Sequence, residues 1–216
     1  MWNIEDKNGF EIETSNNRGQ INLDQDLGKV IFELSKEIEN TTFVDIGTWN
    51  GLGSTKCFIE AMKLNKSSKL YTIENNKEKF EVAKSLWQDV IKDEELNVVF
   101  LNGTLVENEL IDSWIEENNI LLTDQQKYWL HIDKQNSTNL VNIDCDSIDI
   151  LLIDGSEYTG YLELILLKDK CKYILLDDVR SVKNEMSRNY LLSSPDFILI
   201  SEDLYSRNGY SVFKKK

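Results

Sequence analysis

Residues 43–54 read Phe43-Val44-Asp45-Ile46-Gly47-Thr48-Trp49-Asn50-Gly51-Leu52-Gly53-Ser54. An apolar run of strand length passes into three glycines and then into a segment, Ser54–Leu64, with helical spacing of its apolar residues. Gly47, Gly51 and Gly53 allow a sharp turn and let a ligand approach the backbone without obstruction by Cβ. Free amides at the start of a helix can receive a carboxylate or a phosphate. The spacing is Gly-x-x-x-Gly-x-Gly with an acid, Asp45, two positions ahead of the first glycine. A dinucleotide fingerprint would read Gly-x-Gly-x-x-Gly. The plainer alternative is a bend selected only for close packing.

Outward from this bend, short β-rich runs alternate with longer helical ones. Strands are expected at Thr42–Ile46, Lys69–Ile73, Asn97–Leu101, Ile148–Ile153 and Tyr173–Leu176. They are apolar almost throughout, as strands covered on both faces must be. Amphipathic helices are expected at Ser54–Leu64, Lys77–Ile91 and Tyr158–Lys168, with Val82, Ala83, Leu86, Trp87 and Val90 forming one buried face. This order predicts an α/β domain, a doubly wound and mostly parallel sheet with right-handed crossovers. Asn208-Gly209 is a hairpin turn signal between Asp196–Ser201 and Gly209–Phe213, so the sheet should end in an antiparallel pair.

Two stretches break the rhythm. Residues 1–40 form a polar lead-in with turns at Asn8-Gly9 and Asn16–Gly19, followed by a helix near Asp24–Glu39. Residues 104–147 separate two core strands by far more than the usual connection, and carry helical patches at Glu107–Glu117 and Asp124–Lys134. They read as a helical insertion, a cap within a domain spanning 41–216. Trp114, Tyr128 and Trp129 in this cap either roof a pocket or pack the cap onto the body.

Bulk properties narrow the classes. With 24 basic and 38 acidic residues the net charge is −14, which opposes binding to a phosphate backbone. No apolar run approaches membrane-spanning length, and the polar N-terminus carries no readable targeting signal. Cys57, Cys145 and Cys171 lack metal-like spacing and read as free thiols in a reducing, cytoplasmic compartment. A homo-oligomer stays open.

A second acid, Glu74, ends the strand Lys69-Leu70-Tyr71-Thr72-Ile73 about 20 residues beyond the bend, where a carboxylate can take both hydroxyls of a ribose. By itself it reads equally as a helix-capping acid. The two together resemble motifs I and II of class I S-adenosylmethionine-dependent methyltransferases, whose fold is Rossmann-like. The resemblance implies that Asp45, Gly47, Thr48, Trp49, Gly51, Gly53 and Ser54 serve the amino-acid part of the cofactor, and Glu74 its ribose. Asn102, Gly103 and Thr104 stand where the family contacts adenine, although their order and identities differ from its usual pattern.

Two later strands also end in acids: Asp154 after Ile150-Leu151-Leu152-Ile153, with Glu157 beyond it, and Asp177-Asp178 after Ile174-Leu175-Leu176. In a parallel sheet these ends share one rim, so three carboxylates should converge and call for a shared proton or cation. Oxygen-only ligands favour Mg²⁺, Mn²⁺ or Ca²⁺. The alternative is that Asp177 or Asp178 caps a helix and Asp154 binds the cofactor's ammonium. The set resembles metal-dependent O-methyltransferases acting on catechols and sugars, which implies Asp154, Asp177 and Asp178 as metal ligands. Catechol-type members often carry a lysine base three residues after the first ligand; here Glu157 stands there. Glu157 is thus a candidate base, His131 a second, and Asp154 a further catalytic candidate. Lys183 either meets an anionic acceptor or, more plainly, is a solvated helix lysine. The expected activity is methyl transfer to a hydroxyl of a small molecule or glycan. Its rivals are an NAD-dependent oxidoreductase and an inactive cofactor-binding or interaction module.

Overall fold

The β-branched and leucine-rich runs form the strands of one sheet, whose central members are buried on both faces while the edge strands are half-buried or exposed. In the computed structural model, which describes residues 19–137 and 139–216, five of the seven strands are parallel: β1 (Thr42–Ile46), β2 (Lys69–Glu74), β3 (Asn97–Asn102), β4 (Ile148–Ile153) and β5 (Cys171–Asp177). β6 (Phe197–Asp203) and β7 (Tyr210–Lys215) form the expected antiparallel hairpin, and β7 pairs antiparallel with β5. The order is β3-β2-β1-β4-β5-β7-β6. The chain winds from β1 through β2 to β3 on one side, then returns to β4 and β5 on the other. The crevice beyond the ends of β1 and β4 is therefore the switch point, where ligands bind in such sheets. The expected turn at Asn8-Gly9, and residues 16–18 of the second, lie outside the described residues.

Alternate residues of the central strands feed two cores. Val44, Ile46, Leu151, Ile153, Ile174 and Leu176 face one side, where α6 (Gly160–Leu167) and α7 (Glu185–Ser193) pack through Leu164 and Leu191. Phe43, Leu70, Ile150, Leu152, Leu175 and Val212 face the other, met by Ile31 of α1 (Asp26–Glu37), Phe58 of α2 (Ser54–Met62) and Trp87 of α3 (Lys77–Asp93). The Asn76 side chain caps α3 by accepting from the Lys79 amide at 3.0 Å. Its buried face is narrower than expected. Ala83 and Trp87 are buried, whereas Val82 is 45% exposed because it falls on the flank of the stripe.

Between β3 and β4 lie α4 (Asn108–Glu117) and α5 (Asp124–Asn136). Thr123 and Gln126 satisfy the first amides of α5 reciprocally, a capping box. A small apolar cluster of Val106, Ile111, Trp114 and Tyr158 lies beneath α4. The Tyr158 hydroxyl donates to the Gln126 carbonyl at 3.1 Å, latching α5 to the body. No helix among the described residues is long and apolar enough to cross a membrane.

Candidate cofactor and acceptor site

The bend after β1 is shaped by what lies against it. Gly47 has φ +100°, and a Cβ there would fall 2.2 Å from the Asp154 carbonyl oxygen, so only glycine lets β1 and β4 end side by side. Trp49 sits at φ +50°, an uncommon conformation for a bulky residue, and its amide donates to Glu74 Oε2 at 2.7 Å. Gly51 is packed beneath Trp87, whose indole N–H donates to the Gly51 carbonyl at 2.7 Å.

Asp45 lies behind the bend. It is fully buried and accepts from Ser54 Oγ at 2.8 Å and Thr55 Oγ1 at 2.5 Å. Burial pushes its pKa up to about 6, with the Thr55 and Ser54 hydroxyls holding it back. Glu74 accepts two backbone amides, Trp49 at 2.7 Å and Asn76 at 2.8 Å, and burial pushes its pKa up to about 7. Each oxygen keeps a lone pair for a further donor.

A cavity of about 910 Å³ opens over the switch point. Of the residues expected to hold the cofactor, Gly47, Thr48, Trp49, Gly53, Ser54, Glu74, Gly103, Thr104 and Asp154 line it. Asp45, Gly51 and Asn102 do not. Asp45 and Gly51 support the bend from behind. Asn102 turns its amide to the Glu74 carbonyl at 2.9 Å and so braces the neighbouring strand end. Gly19 and Gln20 of the lead-in complete the wall beside Gly53. Gly19 closes the expected Asn16–Gly19 turn, whereas no sequence signal marks Gln20.

The residues fit the cofactor on one further observation. Glu163 of α6 lines the cavity, is 3% exposed, and its Oε2 has no hydrogen-bond partner. Burial raises its pKa to about 7, relieved in part by Thr159 and Lys183. An ammonium group would satisfy that oxygen.

The three rim acids converge as expected. One oxygen from each of Asp154, Asp177 and Asp178 lies within 4.8 Å of the others. They are not, however, a bare acidic cluster. The Lys183 ammonium stands 2.9 Å from Asp154 Oδ1 and 2.9 Å from Asp178 Oδ2. Arg207 Nη2 lies 3.2 Å from Asp177 Oδ2 and 3.5 Å from Asp178 Oδ1. Lys183 is not the solvated lysine expected, since its side chain is only 10% exposed. Burial works against its charge, but Asp154 and Asp178 hold its pKa well above the ordinary range. Asp178 is held below the usual carboxylate range against its burial, first by Lys183, then by a hydrogen bond from Asn208 and then by Arg207. Asp177 is pushed up to about 7 by burial and then by the Asp154 charge. Asp154 and Lys183 line the cavity, whereas Asp177 and Asp178 lie behind them. With two tethered cations already among the carboxylates, this donor set does not fit a divalent ion.

Helix α5 faces the cavity with Tyr128, Trp129, Ile132, Asp133 and Asn136, a helical period that leaves His131 on the exposed side. His131 is therefore not positioned as a base. Glu157 does line the cavity; burial raises its pKa, and the charges of Asp178 and Asp133 add to the rise while Lys183 opposes it. Asp133, which the sequence reading passed over, accepts from Ser156 Oγ at 2.6 Å. The cap's aromatic residues divide. Tyr128 and Trp129 line the cavity, while Trp114 is buried and stacks on Tyr161 at 6.3 Å between centroids.

Strand order, the reversed last strand and the bend with its neighbouring acid define the Rossmann-like α/β fold of class I methyltransferases. No protein-family model matches the sequence, and no curated protein matches it. Solved structures do. An O-methyltransferase from Bacillus cereus in complex with S-adenosylhomocysteine superposes with a TM-score of 0.59 at 14% identity, over 94% of this chain and 86% of that one. A methyltransferase from Geobacter sulfurreducens gives 0.57 at 14% identity, over 88% and 78%. An S-adenosylhomocysteine-bound methyltransferase from Podospora anserina gives 0.52 at 15% identity, over 88% and 77%.

Proposed function

We propose that the protein transfers a methyl group from S-adenosylmethionine to a hydroxyl of a small molecule or glycan. The observation that carries this reading is one cavity lined by two unlike sets of groups. The first set is the Gly47–Ser54 bend, Glu74 and the unpartnered Glu163 oxygen; the second is the aromatic and carboxylate face of α5. At about 910 Å³ the space is at the upper end of ordinary ligand sites, which suits a cofactor and an acceptor together.

The cofactor supplies an electrophilic methyl group on a sulfonium. Glu74 accepts hydrogen bonds from the ribose hydroxyls, and Gly103 and Thr104 border the adenine end. Glu163 meets the ammonium of the amino-acid end. Glu157 is the carboxylate placed to take the acceptor's proton, its raised pKa making it a better base than an exposed glutamate. Tyr128 and Trp129 offer ring faces, and Asp133 and Asn136 offer polar groups. That combination suits a hydroxylated ring better than an apolar one, and the net charge of −14 argues against a nucleic-acid acceptor. By holding both partners, the cavity walls remove most of the entropic barrier to an in-line displacement.

Calorimetric titration tests the reading. S-adenosylhomocysteine should bind the full chain and lose affinity on Glu74→Ala, while NAD should give no heat. Binding of NAD in its place would move the protein to the oxidoreductases.

A further inference from the structure

We propose that Lys183 and Arg207 are a built-in replacement for a divalent metal ion. In this site the Lys183 ammonium, not a bound ion, would hold the acceptor oxygen. The inference rests on the methyl-transfer reading for the identity of that oxygen, but the cation arrangement itself stands on geometry alone.

Three carboxylates converge at the ends of β4 and β5, with oxygens inside 4.8 Å of one another. Hard divalent cations gather oxygen ligands in this way. Lys183 Nζ already lies 2.9 Å from one oxygen of Asp154 and 2.9 Å from one of Asp178, a bridging position between the two. Arg207 closes the set from behind, at 3.2 Å from Asp177 and 3.5 Å from Asp178. Two positive charges against three negative leave the same balance that one divalent ion would leave. An added ion would meet the ammonium at close range in a buried setting, where like charges repel most strongly.

The replacement is accessible where it matters. Of the five charged partners only Asp154 and Lys183 line the cavity, beside Glu157 and Ser156. An ammonium carries three N–H donors. The two carboxylates take two, which leaves one for an oxygen in the cavity. The chemistry then balances without a metal: the acceptor O–H proton passes to the Glu157 carboxylate. The oxygen lone pair forms the new O–CH₃ bond as the S–CH₃ bond breaks, and the sulfur keeps the bonding pair. Lys183 contributes a hydrogen bond to the oxygen as charge develops on it, and keeps its own proton throughout.

Placement by the backbone supports a fixed role. Gly160 begins α6 directly against the Lys183 carbonyl, where a Cβ would fall 2.4 Å from that oxygen. The neighbouring Asn184 amide donates to the carbonyls of Ile153 at 3.0 Å and Asp177 at 2.8 Å, tying Lys183 to both strand ends.

The test uses Mn²⁺ as the probe, titrated into the full chain and followed by the electron paramagnetic resonance signal of the free ion. Wild-type protein should leave the signal unchanged into the millimolar range, with or without S-adenosylhomocysteine. Lys183→Ala or Lys183→Gln should gain one bound ion per chain, and adding Asp178→Asn should remove it. Stoichiometric binding by wild type that Asp178→Asn abolishes overturns the proposal, whether or not the Lys183 variants fold. So does a folded Lys183 variant, checked by circular dichroism, that gains no ion. S-adenosylhomocysteine binding measured on the same wild-type sample separates the two readings. Its absence would sink the methyl-transfer assignment while leaving the cation result to stand by itself.

Discussion

Two places on the same sheet rim end their strands in acids, and they are built in opposite ways. At β2 the carboxylate of Glu74 is met by backbone amides of Trp49 and Asn76, neutral donors that leave its charge uncompensated and lone pairs open. At β4 and β5 the carboxylates of Asp154, Asp177 and Asp178 are met by the side-chain cations Lys183 and Arg207. The first arrangement waits for a ligand. The second is largely neutralised internally, with Asp178 Oδ1 alone of its buried oxygens lacking a hydrogen bond, and presents a cation to the cavity beside the Asp154 carboxylate. A strand-end acid thus says little until the atoms facing it are known.

The largest effect should come from breaking the second arrangement. Lys183→Met leaves the buried Asp178 and the half-buried Asp154 with one cation fewer, and breaking a buried pair this way costs about 3–5 kcal/mol. Chemical denaturation should show that loss; a change under about 1 kcal/mol would mean the pair is solvated.

Breaking the first arrangement should spare the fold and cost the ligand. On the proposed reading Glu74→Ala removes two charge-assisted hydrogen bonds to a ribose, so S-adenosylhomocysteine affinity should fall by roughly 10–100-fold in calorimetry. An unchanged affinity would remove Glu74 from the cofactor site.

Acidity sharpens the contrast. Glu74 without ligand titrates at about 7, and only its ionised form accepts from both ribose hydroxyls. Affinity should hold above that pH and fall below it, by up to about tenfold per pH unit, with the slope absent in Glu74→Gln. Stability should run the other way. Asp45, Glu74 and Glu163 have folded pKa values of about 6, 7 and 7, all above their ordinary values. The folded chain therefore binds more protons than the unfolded one between pH 4 and 7, and stability is lost as pH rises through that window. The melting temperature should be higher at pH 6 than at pH 8.

The smallest effect belongs to His131→Ala. The side chain is exposed on the far side of α5, so stability should move by less than about 0.5 kcal/mol and cofactor affinity not at all. A measurable loss of affinity would mean that α5 rotates in solution.

The sheet is legible in the sequence because burial on both faces leaves a mark on most residues of β1, β4 and β5. Thr42–Ile46 and Ile148–Ile153 have the expected bounds. The bend is legible because glycine is forced wherever β1 and β4 nearly touch, as at Gly47. The pairing of the rim acids is not. Lys183 stands 29 residues from Asp154 and Arg207 stands 30 from Asp177, each in a polar stretch like any surface loop. Nothing local distinguishes a lysine that folds back beneath a helix start from one that faces water. Asp133 had a signal that was available: with Trp129 facing inward, the helical period carries Ile132, Asp133 and Asn136 to the same side and turns His131 away.

The hairpin loop that carries Arg207 does more than neutralise acids. The same guanidinium donates to the Gln20 carbonyl at 3.1 Å, a contact spanning 187 positions of chain, and Gln20 borders the cavity beside Gly53. The first described residues and the last strand pair are thus joined in one wall, so a change in the hairpin loop would be felt at the cavity from the opposite end of the sequence.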